Sequence, residues 1–219
     1  MNTLVAIAGL FLLVVHAGPI AQPEGPDAFL ARWKNETHQK LVRGAFWTLM
    51  HSDADGKRVE VVLRPVQPFL EALERGDRSA LTPGAIQAFK DSLSGLLDDE
   101  EQAVRALAAV LLGVCGDKAY ASQLARLLAP RSVHGDLPRF DRGRAAIALG
   151  LVGATEYARD LGNLLQSANL FDRSGAAFGL GALRAREYEG AIEKLLNDAE
   201  GDVSEMAKEA LAMMRGKPR

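Results

Sequence analysis

The chain has one cysteine, Cys115, among 219 residues, so no internal disulfide can form and stability has to come from packing. Cys115 stands between Val114 and Gly116 after an apolar stretch and reads as a small buried hydrophobe. Aromatic residues make up only 6%, with three tyrosines. Val, Ile and Thr form no long alternating runs, while Ala, Leu and Gly dominate, which favours helix over sheet. Charge is nearly balanced at −2, so no overall field marks a nucleic-acid partner. Of the four histidines, none stands in a His-x-x-x-His or His–Glu pair, and no cysteine cluster could hold zinc. No glycine-rich phosphate loop follows a strand, and no nucleophile elbow is visible. These absences leave no catalytic residues, no metal and no cofactor to assign, and the expectation is a protein that is not an enzyme.

The one long apolar run lies at the N-terminus. Leu4 to Val15 is unbroken, and the first charged side chain is Glu24. Small residues at Val15 and Ala17, and again at Pro19 and Ala21, offer cleavage after Ala17 or Ala21. Residues 1–21 are therefore expected to be a signal peptide that exports the chain to the periplasm or medium, with no lysine or arginine in its first part. The alternative is an uncleaved anchor, since Leu4 to Ala21 comes close to bilayer length. Gly18 and Pro19 interrupt it, which favours export, and no later segment is apolar enough to span a membrane.

Three segments align without a gap: "LGVCGDKAYASQLARLL" from Leu112, "LGLVGATEYARDLGNLL" from Leu149 and "LGALRAREYEGAIEKLL" from Leu180. Tyr120, Tyr157 and Tyr188, all the tyrosines of the chain, coincide. So do Gly113, Gly150 and Gly181, the closing leucine pairs, and upstream Arg105, Arg142 and Arg173 followed by paired alanines. This is an internal repeat. Each unit reads as two short helices, the first ended at the leucine–glycine step by a left-handed cap, the second carrying Tyr, Leu and Leu–Leu on one face. Such a pair cannot bury its faces alone, and stacking buries them.

The edges follow the same pattern. "AIQAFKDSLSGLL" repeats the second helix with Phe89 for the tyrosine, and "DVSEMAKEALAMMRG" repeats the first helix alone. Asp98 with Glu101 and Asp202 with Glu205 read as capping boxes. The array is assigned to residues 81–219 and a helical cap to residues 22–80. In the cap, Leu30, Trp33, Leu41, Ala45 and Leu49 fall on one face of a long amphipathic helix, followed by a turn at "HSDADGKR", a short extended piece up to Pro65 and a helix from about Pro68 to Gly76. Asp53, Asp55 and Gly56 resemble half of a calcium loop, but the closing glutamate is absent and an ordinary turn is expected. The sequon at Asn35 to Thr37 falls within the expected helix.

The unit "VRALAAVLLGVCGDKAYASQLARLL" resembles a HEAT-like repeat of the short class first associated with phycobilisome lyases. The later units depart from it, with Asp141 and Asp172 where Val104 stands. The resemblance implies an all-α fold, a right-handed α-α superhelix, and it implies little about function because such repeats serve many roles. A lyase or chaperone-like enzyme subunit acting on a protein substrate would follow from family likeness alone; the export signal argues against bilin-lyase chemistry, which belongs inside the cell. The leading expectation is an exported, non-catalytic protein–protein interaction or scaffold module.

The tyrosines read as wall residues packed between helices, each hydroxyl finding a local carbonyl or water, and the arginine row as stacking contacts to the adjoining repeat. A candidate for binding comes from a break in period: Gly113 and Gly150 lie 37 residues apart, Gly150 and Gly181 only 31. The extra residues fall in "APRSVHGDLPRF". Insertions in solenoids map to loops on one face, often the binding face. Arg131, His134, Arg139, Arg142 and Arg144 form a local positive patch suited to a protein partner with an acidic or phosphate-bearing surface.

Overall fold

The first helix of each unit is rich in alanine, and small side chains let helices approach closely from several sides; this governs the architecture. A computed structural model describes residues 25–52, 63–129 and 140–216. The leader at residues 1–21, most of the turn after His51, the first part of the expected extended piece at Val59–Val62, and Arg131, His134 and Arg139 of the inserted loop lie outside the described residues. The described end of that piece is not extended: Leu63 is helical and Arg64 to Val66 form a turn, closed by Val66 N donating to the Leu63 carbonyl at 2.9 Å. Among the described residues there are eleven α-helices and no strand. In chain order these are α1 (Pro26–Trp33), α2 (Glu36–Ser52), α3 (Gln67–Arg75), α4 (Pro83–Leu96), α5 (Gln102–Cys115), α6 (Ala121–Arg126), α7 (Asp141–Leu151), α8 (Ala158–Leu164), α9 (Leu170–Leu183), α10 (Glu189–Lys194) and α11 (Gly201–Arg215).

The first helices α5, α7, α9 and α11 pack side by side in that order, and each second helix, α4, α6, α8 and α10, packs against the first helix that follows it. The protein is an all-helical stack of repeats. Each tyrosine lies in or directly after a short 3₁₀ turn that opens the second helix of its unit.

The aligned glycines do not end their helices. α5, α7 and α9 run on past Gly113, Gly150 and Gly181, and the left-handed residues come three positions later, at Gly116, Gly153 and Arg184. The glycines are instead where neighbouring first helices touch backbone to backbone. A β-carbon at Gly113 would stand 2.7 Å from Ala148 Cα, at Gly150 2.5 Å from Gly179 Cα, and at Gly181 2.5 Å from Ala210 Cα. Between α7 and α9 the contact is widened by Gly143 and Gly175.

The capping boxes also differ from expectation. Asp99 Oδ1 accepts from Glu101 N at 2.9 Å and Asp198 Oδ1 from Glu200 N at 3.0 Å, so the turn before each helix is closed by an aspartate one residue after, or four before, the one expected. The N-terminal amphipathic segment is two helices. Asn35, the sequon asparagine, sits at the break and accepts from His38 N at 3.2 Å, stopping α1 and starting α2. Leu30, Trp33, Leu41, Ala45 and Leu49 are all buried as their spacing requires. What they bury against is α5: both α1 and α2 pack on it, so that with α4 and α7 around it every residue from Ala103 to Cys115 is buried. α2 also reaches the later first helices, with Gly44 beside the Arg144 guanidinium and Thr37 Oγ1 donating to Glu209 at 3.3 Å.

The arginine row forms a ladder between units. Arg105 donates through Nε and Nη2 to Asp141 Oδ2 at 2.9 and 2.7 Å, and through Nη1 to the carbonyls of Asp99 and Glu100, each at 2.7 Å. Arg142 grips Asp172 with two nitrogens, and Arg173 grips Asp198 at 2.8 Å twice. Asp141 and Asp172, the apparent departures from the repeat, are thus the acceptors for the arginine of the preceding unit. Both are fully buried. α11 has Val203 at that position, and the last rung uses Asp198 from the preceding turn.

One consequence is readable by acid titration. The Arg173 guanidinium, together with the Glu200 amide, holds the Asp198 carboxyl below its ordinary value. An unfolded aspartate titrates at about 3.9. The folded value is lower, so the stability this rung supplies is complete above that pH and is lost as pH falls through the folded value. The urea midpoint should decline from about pH 4 downward, and Asp198→Asn should flatten part of that decline; an unaltered slope in the variant would contradict the assignment.

Candidate functional site

The tyrosines are placed as walls between units. Tyr120 Oη donates to Asp91 Oδ1 at 2.8 Å and accepts from Gln87 Nε2 at 2.9 Å, both on α4 of the preceding unit. Its partners are side chains of the neighbour, where a local carbonyl or water was expected. Burial and the Asp91 carboxylate push the Tyr120 pKa up to about 12, so it stays a neutral donor. The Tyr188 ring packs so closely on α8 that a β-carbon at Gly162 would stand 2.2 Å from its Cε1. Tyr157 is half-buried against the core. Nothing in this row converges on a common point.

Of the five residues in the sequence patch, Arg142 and Arg144 are described, and the structure does not bring them together. Two positions apart on a helix is about 200° of rotation. Arg142 turns to Asp172, whose hydrogen bonds raise its pKa further. It belongs to the ladder. Arg144 turns the other way, into a groove across the outer face of the first helices. It makes no hydrogen bond or ion pair through its guanidinium with a described residue, whereas Arg105, Arg142 and Arg173 are all paired. Desolvation by burial pulls its pKa below the ordinary arginine value.

The groove has a volume of about 550 Å³ and is crossed by α7, α9 and α11. Its apolar floor comes from Phe140, Ile147, Leu170, Phe171 and Met206. The Phe140 and Phe171 rings meet edge to face, with centroids 6.0 Å apart. Arg144 stands at the α7 side, and Asp202, Glu205 and Glu209 stand on α11 at the other. Lys208 lies over Glu205 at 2.5 Å and offsets part of that acidity; both side chains are exposed, so the pair is weak. Sequence reasoning took Asp202 and Glu205 for a cap. Their role was readable from spacing: Asp202, Glu205, Met206 and Glu209 share one face of α11, opposite the buried Val203, Ala207, Ala210 and Leu211.

A second space, of about 530 Å³, lies where the α1–α2 junction meets the C-terminal halves of α7, α9 and α11, with Asn35, His38, Leu151, Phe178 and Met213 among its walls. His38 Nδ1 is bonded to the Arg32 carbonyl at 2.8 Å, and burial lowers the pKa of its ring. Among the described residues no group of three His, Cys, Asp or Glu is placed to hold a metal ion. No described helix is long and apolar enough to cross a membrane.

The fold and the groove define an all-helical stacked-repeat protein with an open, charged cleft on its first-helix face. No protein-family model matches the chain, and no curated protein matches it. Among solved structures it is similar to an engineered protein known from its crystal structure, at 16% identity over 86% of this chain and 96% of that one, with a TM-score of 0.44.

Proposed function

We propose that this chain is an exported, non-catalytic interaction module of HEAT-like type, and that it holds a protein partner in the groove across α7, α9 and α11. One observation carries the reading. The repeat arginines are spent on the ladder, yet Arg144 is held over the apolar floor of the cleft with no carboxylate of a described residue on it. A cation that is desolvated without a partner costs free energy, which a bound carboxylate would offset. The cleft is open along its length and its floor is aromatic and aliphatic, features that suit a side chain of another protein. Export rests on the apolar run at Leu4–Val15 and the small residues after it.

The test is co-purification of the tagged full-length chain from the envelope or growth medium of its own host. Recovery of a stoichiometric protein partner supports the reading. A chain that recovers none, and instead turns over a small substrate, defeats it.

A further inference from the structure

The charges at the two ends of the groove say more about the partner than that it is a protein. We infer that the groove takes an extended segment of a partner chain laid across α7, α9 and α11, with an acidic side chain at Arg144, an apolar side chain between, and a basic side chain at Asp202 and Glu205. The inference rests on the reading above and specifies its ligand.

The chemistry of each end is distinct. At the α7 end, among the described residues, Arg144 is the cation of the cleft wall, and no described carboxylate reaches it. At the α11 end Asp202 and Glu205 are exposed, as is Glu209, whose Oε1 already accepts from Thr37 on α2. Lys208 is engaged with Glu205, so the end carries a net negative charge. A ligand of one sign, whether a polyanion or a polycation, satisfies one end and is repelled by the other. A segment with both signs in the correct order satisfies both, and the reversed order is repelled at both.

Spacing sets the separation. Packed helices lie about 8–10 Å apart, and glycine contacts at Gly150–Gly179 and Gly181–Ala210 place these at the short end of that range. Two such steps from α7 to α11 come to roughly 16 Å, about five residues of extended chain. The apolar anchor then falls at the middle, over α9, where Phe171 meets Phe140, the residue before α7, and Leu170 lies alongside. An extended segment also keeps alternate side chains toward the groove, so the acid, the anchor and the base fall on one side when they are two residues apart in turn.

Selection from a phage-displayed library of random decapeptides on the folded full-length chain tests this. Enriched sequences should carry an Asp or Glu and a Lys or Arg four residues apart, with Leu, Met, Phe or Ile midway between. Synthetic peptides of those sequences should lose at least tenfold in affinity when either charge is neutralised. The Asp202→Lys/Glu205→Lys chain, altered only at exposed positions, should reject the wild-type peptides and select an acidic residue where the base had been. Arg144→Glu, checked for retained helicity, should select a base where the acid had been. No enrichment, enrichment without the two charges, or binding that survives both charge reversals overturns the inference. A protein partner that co-purifies with the wild type and equally with both charge-reversed chains would leave the interaction reading standing and remove the groove from it.

Discussion

Gly150→Ala should lower the melting temperature by about 6–12 °C, while Gly95→Ala should raise it by about 2–4 °C. Intrinsic propensity favours both changes equally, since alanine is better than glycine in a helix interior by about 1 kcal/mol. What separates them is what the new methyl meets. At Gly95 in α4 nothing lies within 4 Å, so the gain is kept. At Gly150 the β-carbon would stand 2.5 Å from Gly179 Cα and 2.6 Å from Gly179 O. Those are backbone atoms of a packed helix and cannot rotate aside. α7 and α9 must separate, and since Gly143 and Gly175 hold the same interface at its other end, separation opens the whole contact. Overpacking of this kind costs about 1–3 kcal/mol and more where backbone blocks relief. A net loss of about 3 kcal/mol in a chain of this length corresponds to the stated shift. Calorimetry or circular dichroism reads it directly, and a Gly150→Ala chain as stable as the parent would show that the first helices are not in backbone contact.

That contact illustrates where sequence reading worked and where it stopped. The position of Gly113, Gly150 and Gly181 was legible from their alignment, but two physical demands produce an invariant glycine within a repeat, a left-handed cap and a close approach. Local sequence does not tell them apart. Here Gly116, Gly153 and Arg184 supply the caps, and Arg184 does so with a φ of 54°, so the glycine signal for a helix end is missing in the third unit. The arginine row was read as stacking contacts, and it is. Its acceptors were missed because Asp141 and Asp172 were compared with Val104 in their own column, although the Asp–Arg pair recurring at 141–142 and 172–173 already showed acceptor and donor traveling together.

The N-terminal helices were legible as an apolar face, since Leu30, Trp33, Leu41, Ala45 and Leu49 each obey helical spacing. Their target was not. Nothing in residues 26–52 encodes contact with α5, and the reach from Thr37 to Glu209 spans most of the chain. The candidate site shows the same limit. Counting arginines in sequence joined Arg142 to Arg144, but a helix sends neighbours two apart to opposite sides. One went to the ladder and the other to the groove, and the acidic wall that defines the groove came from a helix nearly sixty residues further on.

Asp141→Ala should be the most damaging single change in the ladder, about 3–5 kcal/mol. The three rungs share their chemistry but not their surroundings. Asp172 is fully buried, but the Arg142 side chain that holds it is 21% exposed, and the Asp198 rung has both partners partly open. At the first rung Asp141 is fully buried and Arg105 nearly so. Removing the carboxylate leaves a guanidinium that keeps its two carbonyls, Asp99 and Glu100, yet has no counter-charge and no route to water. Removing Asp198 leaves a cation that can hydrate, and a loss of about 1 kcal/mol is expected there. The pair as a whole is a different matter from its halves. Replacing both residues, Arg105→Leu with Asp141→Leu, removes the uncompensated charge together with the attraction, and should cost less than Asp141→Ala alone. Urea unfolding of Arg105→Leu, Asp141→Leu and the double measures the coupling. A double variant at least as unstable as the Asp141 single would mean that the rung supplies net stability through the charges themselves. The expected result is that its larger effect is to admit only one register of unit against unit.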